Sequence, residues 1–344
     1  MHHTVKHHHT PSVPEFRTDG TASVPAPGRG LPGTTPPVRP ADAHRVQPDD
    51  VLIRGYRRLA ENTYALDIDW AGRHVFFEPA LGSVHHHMLI AQTLRQIGLS
   101  LAHTEFEISS AHQFLMSGMS YSVDPRRSTD LSPIRAEAVC TWTGRNGIRI
   151  AIALEQHGSV FVRSESGFSW VSDRVYRRLR GAHLTGRPGV MPAPVGAPPV
   201  GRRAADEVVL GASGRAHHWE LIADTGNPAL MDHPVDHVPG LVVMEASQQA
   251  AHAVVAGTGD RSWCPLATDM RTSRYIEFDA PCWIDAREVP LPETSSGGAP
   301  DRGDRPDTGG APGRIAVEVT GTQRGRVAFR SLVEGLAAPV AVSE

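Results

Sequence analysis

Two histidines and a glutamate crowd a single stretch of the chain, in the order His233, His237, Glu245, with a Pro239-Gly240 turn before the glutamate. A neutral imidazole exchanges protons near pH 7, and a carboxylate removed from water rises toward that range. The trio therefore suits general acid–base catalysis. Pro239 has the fixed φ of a first helical residue, and Gly240 permits close approach of a ligand. Free N–H groups at such a helix start can hold a developing oxyanion, which adds Gly240 to the candidate catalytic set. Leu241, Met244, Gln248, Ala251 and Val255 recur at helical spacing among apolar or small neighbours. This predicts a central, buried helix. Glu245 inside it is either functional or a buried acid satisfied by donors at the helix start. His233 and His237 have the i, i+4 spacing of helical zinc ligands, but Pro234 and Pro239 oppose a helix there, so no metal site is expected. Asp232 and Asp236 stand beside the rings to fix them.

The pattern occurs a second time. Val84 to Gln96 aligns without a gap so that Gln92 meets Glu245 and Gln96 meets Gln249, and Asp49 to Ile53 matches Asp206 to Leu210. Two copies of one domain-sized unit follow. The expected organisation is a His- and Pro-rich disordered tail over 1–46, a first unit over 47–185, a Pro/Gly-rich linker over 186–205 and a second unit over 206–344. A mobile excursion is expected at 290–313. In each unit a strand pair precedes one helix (about Met88 to Glu105, and Pro239 to Ala256), and further strands follow. These include a hairpin around Gly144-Arg145-Asn146-Gly147 and strands at Tyr275 to Asp279 and Trp283 to Glu288.

Composition narrows the chemistry. The 344 residues carry a formal charge of −3, so there is no basic footprint for nucleic acid. Cys140, Cys264 and Cys282 are scattered as free thiols would be in a reducing compartment, and no apolar run approaches the roughly 18 residues of a membrane span. A cytoplasmic, soluble protein without cofactor is expected. Lys6 is the only lysine, which removes Schiff-base chemistry from the core. Anionic substrate groups would fall to arginines, with Arg95, Arg271 and Arg274 as phosphate candidates and Gln92 and Gln249 as polar lining. Arg177, Arg178 and Arg180 form a basic patch suited to an acidic partner protein, or a solvated helix face. No P-loop, Gly-x-Ser-x-Gly elbow or dinucleotide motif is present.

Taken together these segments resemble the A-factor synthase (AfsA) family. Asp232 to Gly240 followed by Glu245-Ala246 is close to its second-repeat motif. Thr93 to Leu99, Ala102 to Phe106 and His112 to Met116 look like its first-helix motif, and Arg274 to Trp283 like the motif after the second helix. The resemblance implies an α+β tandem hotdog, two helices each wrapped by an antiparallel sheet. It also implies transfer of a β-ketoacyl group from acyl carrier protein (or a CoA thioester) to dihydroxyacetone phosphate, giving a precursor of a γ-butyrolactone or furan signal. A hotdog dehydratase or thioesterase, or a non-catalytic acyl-binding protein, is the alternative. The family usually has Glu where this chain has Gln92. The cleft holding Glu245, served by Glu78 and His85 to His87, is therefore expected to be the active one.

Overall fold

The computed structural model describes residues 38–70, 78–127, 129–187, 189–291 and 313–340. Among the described residues, twelve strands form one antiparallel sheet whose order is a palindrome of the two units. The first unit contributes β1 (Ile53–Ala60), β2 (Thr63–Ile68), α1 (His87–Thr104), β3 (His112–Val123), β4 (Ile134–Gly144), β5 (Gly147–Gln156) and β6 (Ser159–Ser172). A short helix, α2 (Asp173–Arg180), leaves that unit. The second unit contributes β7 (Leu210–Arg215), β8 (His218–Leu221), α3 (Gly240–Ala256), β9 (Arg261–Thr272), β10 (Cys282–Val289), β11 (Gly313–Gln323) and β12 (Arg326–Pro339). The order β1-β2-β4-β5-β6-β3 runs directly into β9-β12-β11-β10-β8-β7. The seam pairs β3 with β9, from Gly118 opposite Arg271 to Ser122 opposite Ala267.

Both central helices are buried because apolar residues cover nearly their whole circumference, and they touch each other as well as the sheet. A matched pair of glutamines ties each helix to its own unit. Gln96 accepts from the Leu52 N–H at 2.8 Å and donates to the Asp50 carbonyl at 2.8 Å. Gln249 accepts from the Val209 N–H at 3.0 Å and donates to the Glu207 carbonyl at 2.8 Å. The side-chain amide has one donor side and one acceptor side, and it satisfies both orphaned backbone groups at the start of the first strand. This places Gln249 as a brace; it lines no substrate-sized cavity.

Two expectations about unstructured chain are corrected. Residues 38–46, assigned to the tail, are folded: Pro40–Ala43 makes a 3-10 turn with Ala43 fully buried, and Arg45 is buried behind it. Within the proposed linker, Pro198–Val200 makes the corresponding turn against α3, with Gly201 and Arg202 buried after it. Small apolar and proline residues pack well here, so composition alone misread both segments. Tyr275 to Asp279, expected as a strand, is irregular chain in which the Glu277 N–H and carbonyl are bound by Gln323. The expected excursion at 290–313 falls, from 292 to 312, outside the described residues, between the paired strands β10 and β11.

Replacing Gln96 or Gln249 by leucine leaves two buried backbone groups unpaired, each worth about 1–3 kcal/mol. Either substitution is expected to lower unfolding stability by about 2–5 kcal/mol, read from the urea midpoint at constant m-value.

Candidate active site

A cavity of about 470 Å³ opens between α1 and the start of α3. That volume lies in the range of small-molecule sites. Its deep walls are apolar, from residues such as Leu99, Met119, Ile150, Phe168, Met244 and Phe329. Its polar end gathers His44, Arg45, Gln92 and Arg95 from the first unit with Asp232, His233, His237, Gly240 and Arg274 from the second. The sheet alternation decides which arginines reach it. Met270 points inward and lines the cavity, while its neighbour Arg271 points to the outer face and pairs with Asp269 at 3.0 Å. Arg271 is thus excluded from the phosphate-binding set. Arg274 lies exposed at the mouth and makes no ion pair with a described residue.

The two loop histidines are each fixed by the preceding aspartate. His233 Nδ1 lies 2.7 Å from Asp232, and His237 Nδ1 lies 2.7 Å from Asp236. An ionised carboxylate only accepts, so each ring donates from Nδ1, and in the neutral tautomer this leaves Nε2 as the acceptor. Asp236 is in turn held by the Arg180 guanidinium at 2.8 Å and the Tyr176 hydroxyl at 2.7 Å. Burial alone would raise the Asp236 carboxyl, but the hydrogen bonds from His237, Arg180 and Tyr176 outweigh it and hold the group below the usual carboxylate range. Arg180 also grips Glu277 with two bonds of 2.7 Å and stacks on Tyr275, with 4.2 Å to the ring centre. The loop before α3 is therefore clamped from behind.

The first unit's side of this polar end carries unmet polar demand. Gln92 Oε1 and Arg95 Nη1 are buried with no hydrogen-bond partner. Arg45 lies 3.3 Å from Asp232 and 3.1 Å from Asp50, whereas Arg95 makes no ion pair with a described residue and only senses the Asp232 charge at longer range. Burial, and then the Arg45 charge, push the Arg95 guanidinium down to about 10. The N–H groups of Gly240 and Leu241 start α3 within the same cavity, and Val242 is the first to bond back, to the Pro239 carbonyl. A Cβ at Gly240 would come within 2.4 Å of Met116 Cε, so a larger residue there would have to displace the tip of that side chain.

The expected active cleft is closed. Glu245 is fully buried and held bidentately by Arg202 at 2.7 and 2.5 Å, and it accepts from Gln249 at 2.6 Å. Of the expected Glu78 and His85 to His87, Glu78 and His87 do face it, His85 and His86 do not line it, and the remaining space is about 20 Å³. A carboxylate gripped on both oxygens by a guanidinium is not free to take a substrate proton, and Glu245 does not line the large cavity. Arg202 is the counterpart of Arg45, each five residues ahead of the acid (Glu207, Asp50) whose carbonyl binds the brace glutamine. The preceding residues, Gly201 and His44, are both left-handed, with φ of 77° and 51°. Extending the repeat alignment a few residues upstream would have found this pair. His44 and Tyr275 carried no such signal.

The family model and the curated relatives point to one family. The model of the A-factor biosynthesis hotdog domain matches residues 29–171 and 188–296. A 2-oxo-3-(phosphooxy)propyl 3-oxoalkanoate synthase of Streptomyces virginiae is 38% identical over 302 residues, covering 84% of this chain and 94% of the relative. The protein of that name from Streptomyces griseus is 31% identical over 303 residues, covering 85% and 93%. Among solved structures, an acyl-ACP thioesterase from Bacteroides thetaiotaomicron aligns with a TM-score of 0.46 at 12% identity, covering 80% of this chain and 98% of its own.

Two outcomes follow. Removing one partner of the buried pair strands the other, which costs about 3–5 kcal/mol, whereas replacing both is close to neutral. Arg202→Met is therefore expected to destabilise strongly and Arg202→Met with Glu245→Met to recover, measured by urea denaturation. The second outcome concerns pH. Burial lowers His44 and His87 to about 3 and His85 and His252 to about 4, from an ordinary value of 6.5. Below pH 6.5 the unfolded chain takes up these protons and the folded chain does not, so stability falls progressively down to pH 3–4. The urea midpoint should drop between pH 7 and pH 5, and His85→Leu should make that drop shallower.

Proposed function

The chain belongs to the A-factor biosynthesis hotdog family, and from that premise we propose that it transfers a 3-oxoacyl group from a thioester to the hydroxyl of dihydroxyacetone phosphate. The observation that carries this reading is the open cavity itself. Its wall is apolar for an acyl chain, and its polar end holds the half-buried Arg95, whose Nη1 is enclosed without a hydrogen-bond partner, together with the unpartnered amide oxygen of Gln92. A buried guanidinium without a counter-ion is stabilised by a bound anion, and its planar fork suits phosphate. Arg95 and Arg45 would bind the phosphate from inside, with Arg274 closing on it from the mouth.

His237 is the proposed base. Its Nε2 takes the proton of the acceptor hydroxyl while that oxygen attacks the thioester carbonyl. The Gly240 and Leu241 N–H groups stabilise the tetrahedral oxyanion, and its collapse expels the thiolate, to which His237 returns the proton. His233, whose aspartate also binds Arg45, hydrogen-bonds the acceptor on the phosphate side. The product is a 2-oxo-3-(phosphooxy)propyl 3-oxoalkanoate. The methylene between its two carbonyls is acidic enough to attack the remaining ketone, and loss of water closes a phosphorylated butenolide without an enamine. A core without lysine is consistent with that route.

Charge-assisted hydrogen bonds are worth about 1.5–3 kcal/mol. Arg95→Gln should therefore raise KM for dihydroxyacetone phosphate at least tenfold while leaving turnover of unphosphorylated dihydroxyacetone unchanged. His237→Asn should lower kcat by about 10²–10⁴. Mass spectrometry of the products checks both. Release of free 3-oxo acid in place of the ester would mark a thioesterase, and an Arg95→Gln variant with unaltered KM would remove Arg95 from the phosphate site.

A further inference from the structure

The helix α2 stands at the back of the cavity wall and divides its side chains sharply. Tyr176 and Arg180 face inward and are spent on Asp236, Glu277 and Tyr275. The basic patch expected here at Arg177, Arg178 and Arg180 is revised accordingly. Arg180 is buried, and Arg177 is paired with Asp173 at 2.7 Å. The outward face instead presents Leu179, 65% exposed, and Val175, 45% exposed, one helical turn apart. Arg174 and Arg178, also one turn apart, flank them, exposed and without an ion pair among the described residues. An apolar pair bordered by two unpaired cations is unneeded for packing and complements a partner that is acidic around an apolar contact.

We infer that this face of α2, centred on Leu179 with Arg174 and Arg178, is the docking surface for an acidic carrier protein that delivers the thioester. The inference rests on the acyl-transfer reading above. Charge complementarity selects the occupant. A free CoA thioester has no apolar protein surface to set against Leu179 and Val175, whereas a carrier protein brings an acidic surface and an apolar contact together. The placement also fits delivery, because α2 is bonded through Asp236 to His237 and through Arg180 to Tyr275, both of which line the cavity.

The test uses the full chain with Arg174→Glu and Arg178→Glu combined, and separately Leu179→Ser. Two donors are compared: 3-oxooctanoyl on a phosphopantetheinylated bacterial acyl carrier protein, and the 3-oxooctanoyl N-acetylcysteamine thioester. The docking role requires KM for the carrier-bound donor to rise at least about tenfold in the charge-reversed variant, with the small thioester unaffected. Equal losses with both donors, or no loss with either, overturn it. Binding of the loaded carrier protein, followed by fluorescence anisotropy at low and raised salt, reads the surface without turnover. Salt-sensitive binding to the native chain that both variants lose supports the surface even if no ester forms, a result that would strike the acyl-transfer reading alone. Absence of binding to the native chain overturns the surface.

Discussion

A guanidinium taken out of water must find an anion, and the two repeats answer that demand differently. In the second repeat Arg202 finds it within the chain, in Glu245, and the bidentate pair fills the space between the helices. In the first repeat the position facing the counterpart Arg45 is Gln92, which has no charge to give. Arg45 turns to Asp50 and Asp232, and Arg95 is left with an unpartnered Nη1 and no ion pair among the described residues. One substitution of amide for acid thus separates a closed, structural cleft from an open, anion-receptive one. The rest of the site, from the dyads to the helix start, is organised around the cleft that stayed open.

The asymmetry extends to the helix starts. The residue beginning α3 is Gly240 and the residue beginning α1 is His87. Glycine leaves its N–H groups facing the cavity. The imidazole of His87 instead fills the equivalent place in the other cleft, within 3.2 Å of the Tyr121 hydroxyl. Helix start, histidine loop and arginine cluster therefore converge only once, although the fold provides the geometry twice. The clamp of Arg180 and Tyr176 on Asp236 gives the converging loop a rigid support. Catalytic groups on a loop need such backing to hold their orientation.

The repeated helix-and-strand pattern, the buried central helices and the polar identity of the loop before α3 were all legible in the sequence. They rest on local periodicity and on residue types whose meaning does not depend on distant partners. The histidines, Gly240, Gln92, Arg95 and Arg274 do come together around one cavity. Glu245, Gln249 and Arg271 do not join them. Arg271 was lost to the alternation of β9, which sequence shows only once the strand is known to run that far. Glu245 was misjudged because its partner lies in a segment whose proline and glycine content reads as linker.

Sequence by itself determined the duplication, the two buried helices and the set of side chains able to do acid–base and anion-binding chemistry. Which of two equivalent clefts would hold that chemistry was decided only by tertiary structure. A buried charge takes its meaning from what compensates it, and Arg202 reaches Glu245 across 43 positions of chain. Periodicity carries no information about such a pairing, because the energy that selects it appears only when water has been excluded from both groups.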